Sequence, residues 1–219
     1  YSAKLAGLAF VIIIPISVLG GIAAAMKRGK ILDRIVTVGG LSAAVIPEFI
    51  WAVVLVLLFG VTFQIFPVTA FPDEVGAGIG TQIFYLTLPS ISLLLVLFGY
   101  IARITRAGVI EALESEYVRT AVLKGLSRRK AVLKHALRNA LIPVITVYGT
   151  SLIAIFGVAV QTEKVFSLPG MGKMSIRAVV ESDLPVLVGT TMVAAVFIVT
   201  ANVLVDIAYG YLDPRVRVK

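Results

Sequence analysis

Leu5-Ala-Gly-Leu-Ala-Phe-Val-Ile-Ile-Ile-Pro-Ile-Ser-Val-Leu-Gly-Gly-Ile-Ala-Ala-Ala-Met26 runs directly into Lys27-Arg-Gly-Lys30. The first stretch carries no charge over a length that suits a bilayer core, which takes roughly 20 apolar residues of helix to cross about 30 Å. The second is a basic stop of the kind that marks the cytoplasmic side of a span. Four more apolar stretches come after it, so the chain reads as an all-α, polytopic membrane helix bundle with spans at 5–26, 40–63, 83–104, 139–160 and 185–211. Within lipid each span must satisfy its own backbone hydrogen bonds, which a helix does. The alternating pattern of membrane β-strands, about ten residues long, is absent.

Composition agrees with that reading. Of 219 residues, 59% are hydrophobic and 15% charged, against about 45–50% and about 25% in soluble domains. Soluble, disordered and disulfide-scaffold classes are excluded. There is no cysteine and one histidine, His135, so thiolate chemistry is ruled out and no metal site is expected. The net charge of +8 is an orientation signal: sixteen of the twenty Lys and Arg residues fall in the first connection, the third connection and the tail. Only Lys4, Lys164, Lys173 and Arg177 lie on the other side. The positive-inside rule makes the loop at 103–138 and the carboxyl terminus cytoplasmic. No nucleic-acid partner is expected, because the cations sit in membrane-adjacent turns with no recognition module. The amino terminus then lies outside, which predicts a further span ahead of Tyr1.

The connections differ in character. Residues 64–82, with Pro67, Pro72 and several glycines, are turn chemistry on the outer face. Residues 161–184 form an outer loop, surface or re-entrant, with a short amphipathic piece bearing Lys173 and Arg177. The third connection carries helical periodicity: Val118, Ala121, Val122, Gly125 and Leu126 make one apolar stripe with a small-residue centre. Gly125 is placed to end this helix with a left-handed cap. Ser127 is placed to cap a second helix from Arg128, and Pro143 to kink or start the next span. Such a helix can lie in the lipid interface, pack on its own protein or fit a partner's groove. Ala121 and Gly125 allow close backbone approach, and the large anchors of an interfacial helix are missing, which favours the groove.

Tyr117-Val-Arg-Thr-Ala-Val-Leu-Lys-Gly125-Leu-Ser-Arg-Arg, followed by His135-Ala-Leu-Arg-Asn-Ala-Leu-Ile-Pro143, resembles the EAA loop of binding-protein-dependent ABC importer permeases, most nearly the dipeptide/oligopeptide/nickel class. The resemblance extends upstream to Leu32-Asp33-Arg34 through Ile46-Pro47. Downstream it covers Glu163-Lys-Val-Phe-Ser-Leu-Pro-Gly-Met-Gly172 and Asn202 through Arg215. Of the general pattern's leading Glu-Ala-Ala only Ala121 remains, after Arg119 and Thr120, and Pro143 comes five positions late. That narrows the class to the peptide type. The resemblance implies one transmembrane domain over 1–219 and a coupling helix near 116–125 that docks on a cytoplasmic ATPase through Glu116, Tyr117, Arg119, Thr120, Ala121, Lys124 and Gly125. It implies a second permease subunit, two ATPase subunits and an extracytoplasmic binding protein as partners in a bacterial or archaeal inner membrane. Peptides or a related small solute would be carried, with ATP and Mg on partner subunits and no catalysis in this chain.

The residues themselves offer no nucleotide site, since Gly170-Met-Gly-Lys-Met-Ser175 lacks the phosphate-loop spacing. Glu48, in the second span beside Pro47, is either a pathway residue meeting an amine or cation or a structural partner of a neighbouring helix. Asp206 is expected to anchor packing or snorkel. Thr150 and Ser151 are candidate path residues, whereas Thr146, Thr190, Thr191 and Asn202 suit ordinary interhelical contacts. The rival class is a self-contained secondary transporter or channel. Against it, the spans contain only two isolated acids and no detectable inverted repeat. A membrane hydrolase is disfavoured by the lack of HExxH or GxSxG.

Overall fold

The computed structural model describes residues 1–72, 77–123, 125, 147, 151, 155, 157 and 159–212, with the side chains of 117, 119, 121, 122, 205, 206 and 208–212 excepted. The described helices include α1 (Ser2–Met26), α2 (Ile31–Val45), α3 (Glu48–Thr62), α4 (Ile79–Glu114), α5 (Glu116–Leu123), α6 (Met171–Val180) and α7 (Leu184–Leu212), and residues 159–165 are helical as well. Among the described residues there is no strand. Helices α1, α4 and α7 are each long and apolar enough to cross a membrane.

Helices α1 and α4 run side by side in the same direction and form the backbone of the bundle. The buried positions of α1 include Leu5, Ala9, Ile13, Ser17, Gly21, Ala24 and Ala25, recurring at three- and four-residue steps along one face. Several are small, and the reason is distance: a Cβ on Gly21 would stand 2.5 Å from the Ala102 carbonyl oxygen and 2.6 Å from Thr105 Cβ. Between apolar helices in lipid, where no hydrophobic gain drives pairing, such close backbone approach is the main source of attraction. The same device joins α2 to α4, since a Cβ on Gly40 would lie 2.8 Å from Gly99 Cα.

The expected second span, 40–63, is not one straight helix. Helices α2 and α3 meet at an angle of 100° across Ile46 and Pro47. Proline disfavours helical backbone in the residue before it, and Ile46 is extended at φ −78°, ψ 126°. Trp51 Nε1 donates back across the break to the Ala43 carbonyl at 2.9 Å, occupying an acceptor that the end of α2 exposes. Each limb has 15 residues, roughly 22 Å of helix, and falls short of a bilayer core by itself. The third span also differs, because α4 continues to Glu114, ten residues past the expected end at 104. Arg103 and Arg106 therefore sit on a continuous helix instead of in a loop.

Different contacts close the two ends of the bundle. At one end Lys4 donates to Gln82 at 2.7 Å and Ser2 Oγ accepts from Met171 N–H at 2.7 Å, which gathers α1, α4 and α6. At the other, Arg28 meets Glu114 at 2.6 Å. Helix α7 is capped by Asp183, whose Oδ1 accepts from Val186 N–H at 3.1 Å. Leu184, Val188, Met192, Val196, Val199 and Val203 on α7 are all exposed, a surface suited to lipid. The expected span at 139–160 lies largely outside the described residues. So do Ser127, the helix expected from Arg128, His135, Pro143 and Thr146.

Candidate functional site

Helix α4 ends where Ser115 turns extended, at φ −71°, ψ 146°, with its hydroxyl donating to the Ala112 carbonyl at 2.5 Å. The chain re-enters helix at once as α5. Val118 is buried against Ala25, Val109 and Ala112, with Ile22, Ile110 and Leu113 around it. This departs from the expected outward stripe: its first member turns to the chain's own bundle and bolts α5 to α1 and α4. Glu116, Thr120 and Leu123, spaced at four and three residues, are exposed on another face, and Leu123 is 80% exposed. Gly125 comes next in the left-handed region at φ +91°, the cap conformation expected from sequence, with open space where a side chain would be. Tyr117, Arg119 and Ala121 lie in α5, but their side chains, and Lys124 altogether, are outside the described residues.

About three turns before α5, Arg106 reaches Asp33 at the start of α2. Arg106 Nε and Nη2 donate to the two Asp33 oxygens at 2.5 and 2.9 Å. Gly29 N–H, at 2.8 Å, and the Thr37 hydroxyl, at 3.3 Å, complete the carboxylate's shell. Asp33 is buried. In the sequence Arg106 reads only as a topology charge. The available signal for the pair is an acid set among Lys27, Arg28, Lys30 and Arg34.

Midway along the bundle, Glu48 opens α3 just past the break. It is 5% exposed, and among the described residues neither carboxylate oxygen has a hydrogen-bond partner. An acid in the first turn favours the helix amino terminus, yet a carboxyl with empty hydrogen-bonding capacity is costly in such surroundings. Ser151 is buried as well, whereas Thr150 and the Asp206 side chain are outside the described residues. Thr190 and Thr191 spend their hydroxyls on the Leu187 carbonyl of their own helix, at 3.0 and 2.8 Å.

At the opposite end, Glu163 is almost fully buried and accepts from Lys173 N–H at 3.1 Å, capping α6 from a distance. The space it needs comes from two glycines. A Cβ on Gly170 would collide with the carboxylate, and one on Gly172 would come within 2.8 Å of Oε2. The spacing of Glu163, Gly170 and Gly172 is thus explained by one contact, which the residues alone did not reveal.

The sequence profile described as the binding-protein-dependent transport system inner membrane component covers residues 16–218. The chain belongs to this family. Among curated relatives, the dipeptide transport system permease protein DppB of Bacillus subtilis is 39% identical, with 90% of this chain and 61% of that protein aligned. The di/tripeptide transport system permease protein DppB of Pseudomonas aeruginosa is 38% identical over 91% of this chain and 65% of its own length. The dipeptide transport system permease protein DppB of Escherichia coli K12 is 34% identical over 91% and 65%. The chain therefore spans about three fifths to two thirds of these relatives. As a binding-protein-dependent transport component it is a membrane protein, and its apolar helices are bilayer spans.

Proposed function

We propose that the chain forms the transport core of a permease subunit in an ATP-driven importer that takes peptides, or a closely related small solute, from an extracytoplasmic binding protein. The observation that carries this reading is α5, a short helix set off by the Ser115 break and anchored through Val118. Glu116, Thr120, Leu123 and Gly125 are exposed. A helix that transmits force from a partner needs both a fixed inner face and an open outer one. The ATPase-coupling set is Glu116, Tyr117, Arg119, Thr120, Ala121, Lys124 and Gly125, to which Leu123 is added here. The family and the peptide-permease relatives support the importer reading.

The end bearing Arg28, Arg106, Glu114 and α5 is cytoplasmic, and the end bearing Lys4, Lys173 and α6 faces the binding protein. Two ATPase subunits supply ATP and Mg chemistry, and a second, related permease completes the path. Nucleotide-driven closure of the ATPases draws the coupling helices together and rocks the bundle between inward- and outward-open arrangements. Glu48, with Thr150 and Ser151, belongs to the path, where an unpartnered carboxyl meets a cationic group of the cargo in one of those arrangements. Solubilising the full-length subunit from its native membrane tests the assignment. Stoichiometric co-purification of an ATPase, with uptake that needs both ATP and the binding protein, is expected. Uptake by the isolated subunit driven by an ion gradient would instead identify a secondary transporter.

A further inference from the structure

We infer that Asp33 and Arg106 are positioning residues that make α2 and α4 move as one body, so that displacement of α5 is delivered to the bend at Ile46–Pro47. The inference rests on the importer reading above. Helices α2 and α4 cross antiparallel and touch backbone to backbone at Gly40 and Gly99. One such contact is a pivot: two smooth helices sharing a glycine crossing can swivel about it. The Asp33–Arg106 pair lies seven residues from that crossing along each helix, about 10 Å away. A second attachment at that distance fixes the crossing angle.

The chemistry suits the task. Two parallel N–H to oxygen bonds between a planar guanidinium and a carboxylate constrain orientation as well as separation. Gly29 and Thr37 hold the carboxylate from its own side, so Asp33 cannot follow Arg106 without taking the start of α2 with it. A partly buried pair of this type adds little net stability over an apolar substitute, so the role inferred for it is the geometry it fixes. From Arg106, α4 runs unbroken to Glu114, one residue before the break that leads into α5. From Asp33, α2 runs to Val45, at the bend beyond which Glu48 is buried without a partner among the described residues. A path of packed helices, turned at Ser115 and at Ile46–Pro47, therefore joins the candidate coupling helix to the interior carboxylate.

The test uses full-length permease, reconstituted with its ATPases, its companion permease and its binding protein in proteoliposomes, with radiolabelled dialanine as cargo. Asp33→Asn and Arg106→Gln are each expected to cut dialanine uptake per ATP hydrolysed about tenfold, with hydrolysis by the assembled complex held within about twofold. The double variant should be no worse than either single one, because both remove the same link. Unchanged uptake per ATP in the single variants would overturn the inference. So would a parallel fall of uptake, hydrolysis and assembled complex, which marks a pair needed only for folding. Wild-type uptake that ignores ATP would refute the importer reading, and this inference with it.

Discussion

Single residues carry much of the fold's specificity, and the glycines facing Glu163 show how. Gly170 and Gly172 leave a carboxylate-sized space at the start of α6, and Glu163 fills it while accepting from Lys173 N–H. Gly170→Ala is predicted to cost about 1–3 kcal/mol, since the added methyl displaces a buried carboxylate from its donor. Faster tryptic cleavage at Lys173 and Arg177 in the detergent-solubilised protein would register the freed helix. Glu163→Ala combined with Gly170→Ala should cost less than the two changes summed, because the clash has lost one partner. The sequence motif displays these residues at their spacing but not their contact, because the intervening turn brings them together. The same holds for Asp33 and Arg106: each is visible as a charge, yet pairing across 73 positions is a property of packing alone.

Elements are legible in the sequence where length and hydropathy dominate. The first and last described spans begin and end within a few residues of expectation, because an uncharged run of more than twenty residues has no alternative to a membrane helix. The second span shows the limit. Pro47 is visible, but whether a proline kinks a helix or splits it depends on what takes up the freed backbone groups, here Trp51 on Ala43. Element α5 is the short amphipathic helix expected, yet Val118 of its apolar stripe packs on the chain's own bundle. Its two faces make opposite predictions. Val118→Asp buries a charge against Ala25, Val109 and Ala112 and should sharply lower the yield of folded, membrane-inserted subunit. Leu123→Asp changes an exposed position and should leave that yield intact while reducing the ATPase recovered on affinity purification several-fold. Quantitative immunoblotting of both chains separates the two results. Between α2 and α4, Gly99→Leu would push a side chain into the Gly40 backbone, and a loss of about 2 kcal/mol or more is expected in thermal unfolding of the solubilised subunit.

At the scale of the whole molecule, the bundle is organised by what its ends must do. The basic end gathers Arg28 with Glu114, Arg106 with Asp33, and α5 beneath them. The other end gathers Ser2, Glu163 and α6 around the glycines. Between them, small residues bring helix backbones together, and the break at Ile46–Pro47 interrupts the only described limb with a buried, unpartnered acid. Charge topology makes the two ends legible from sequence, since asymmetric Lys and Arg placement is written residue by residue. The mechanical links between the ends are not legible there, because they depend on backbone distances. Whether α5 couples an ATPase to this bundle is decided by Gly125→Glu. At φ +91° a side chain is strained, and an acidic one alters the outer end of the helix without touching the bundle core. In proteoliposomes containing the complete importer, the variant should insert at wild-type levels and show no ATP-driven, binding-protein-dependent dipeptide uptake. Wild-type uptake by that variant would rule out coupling through α5.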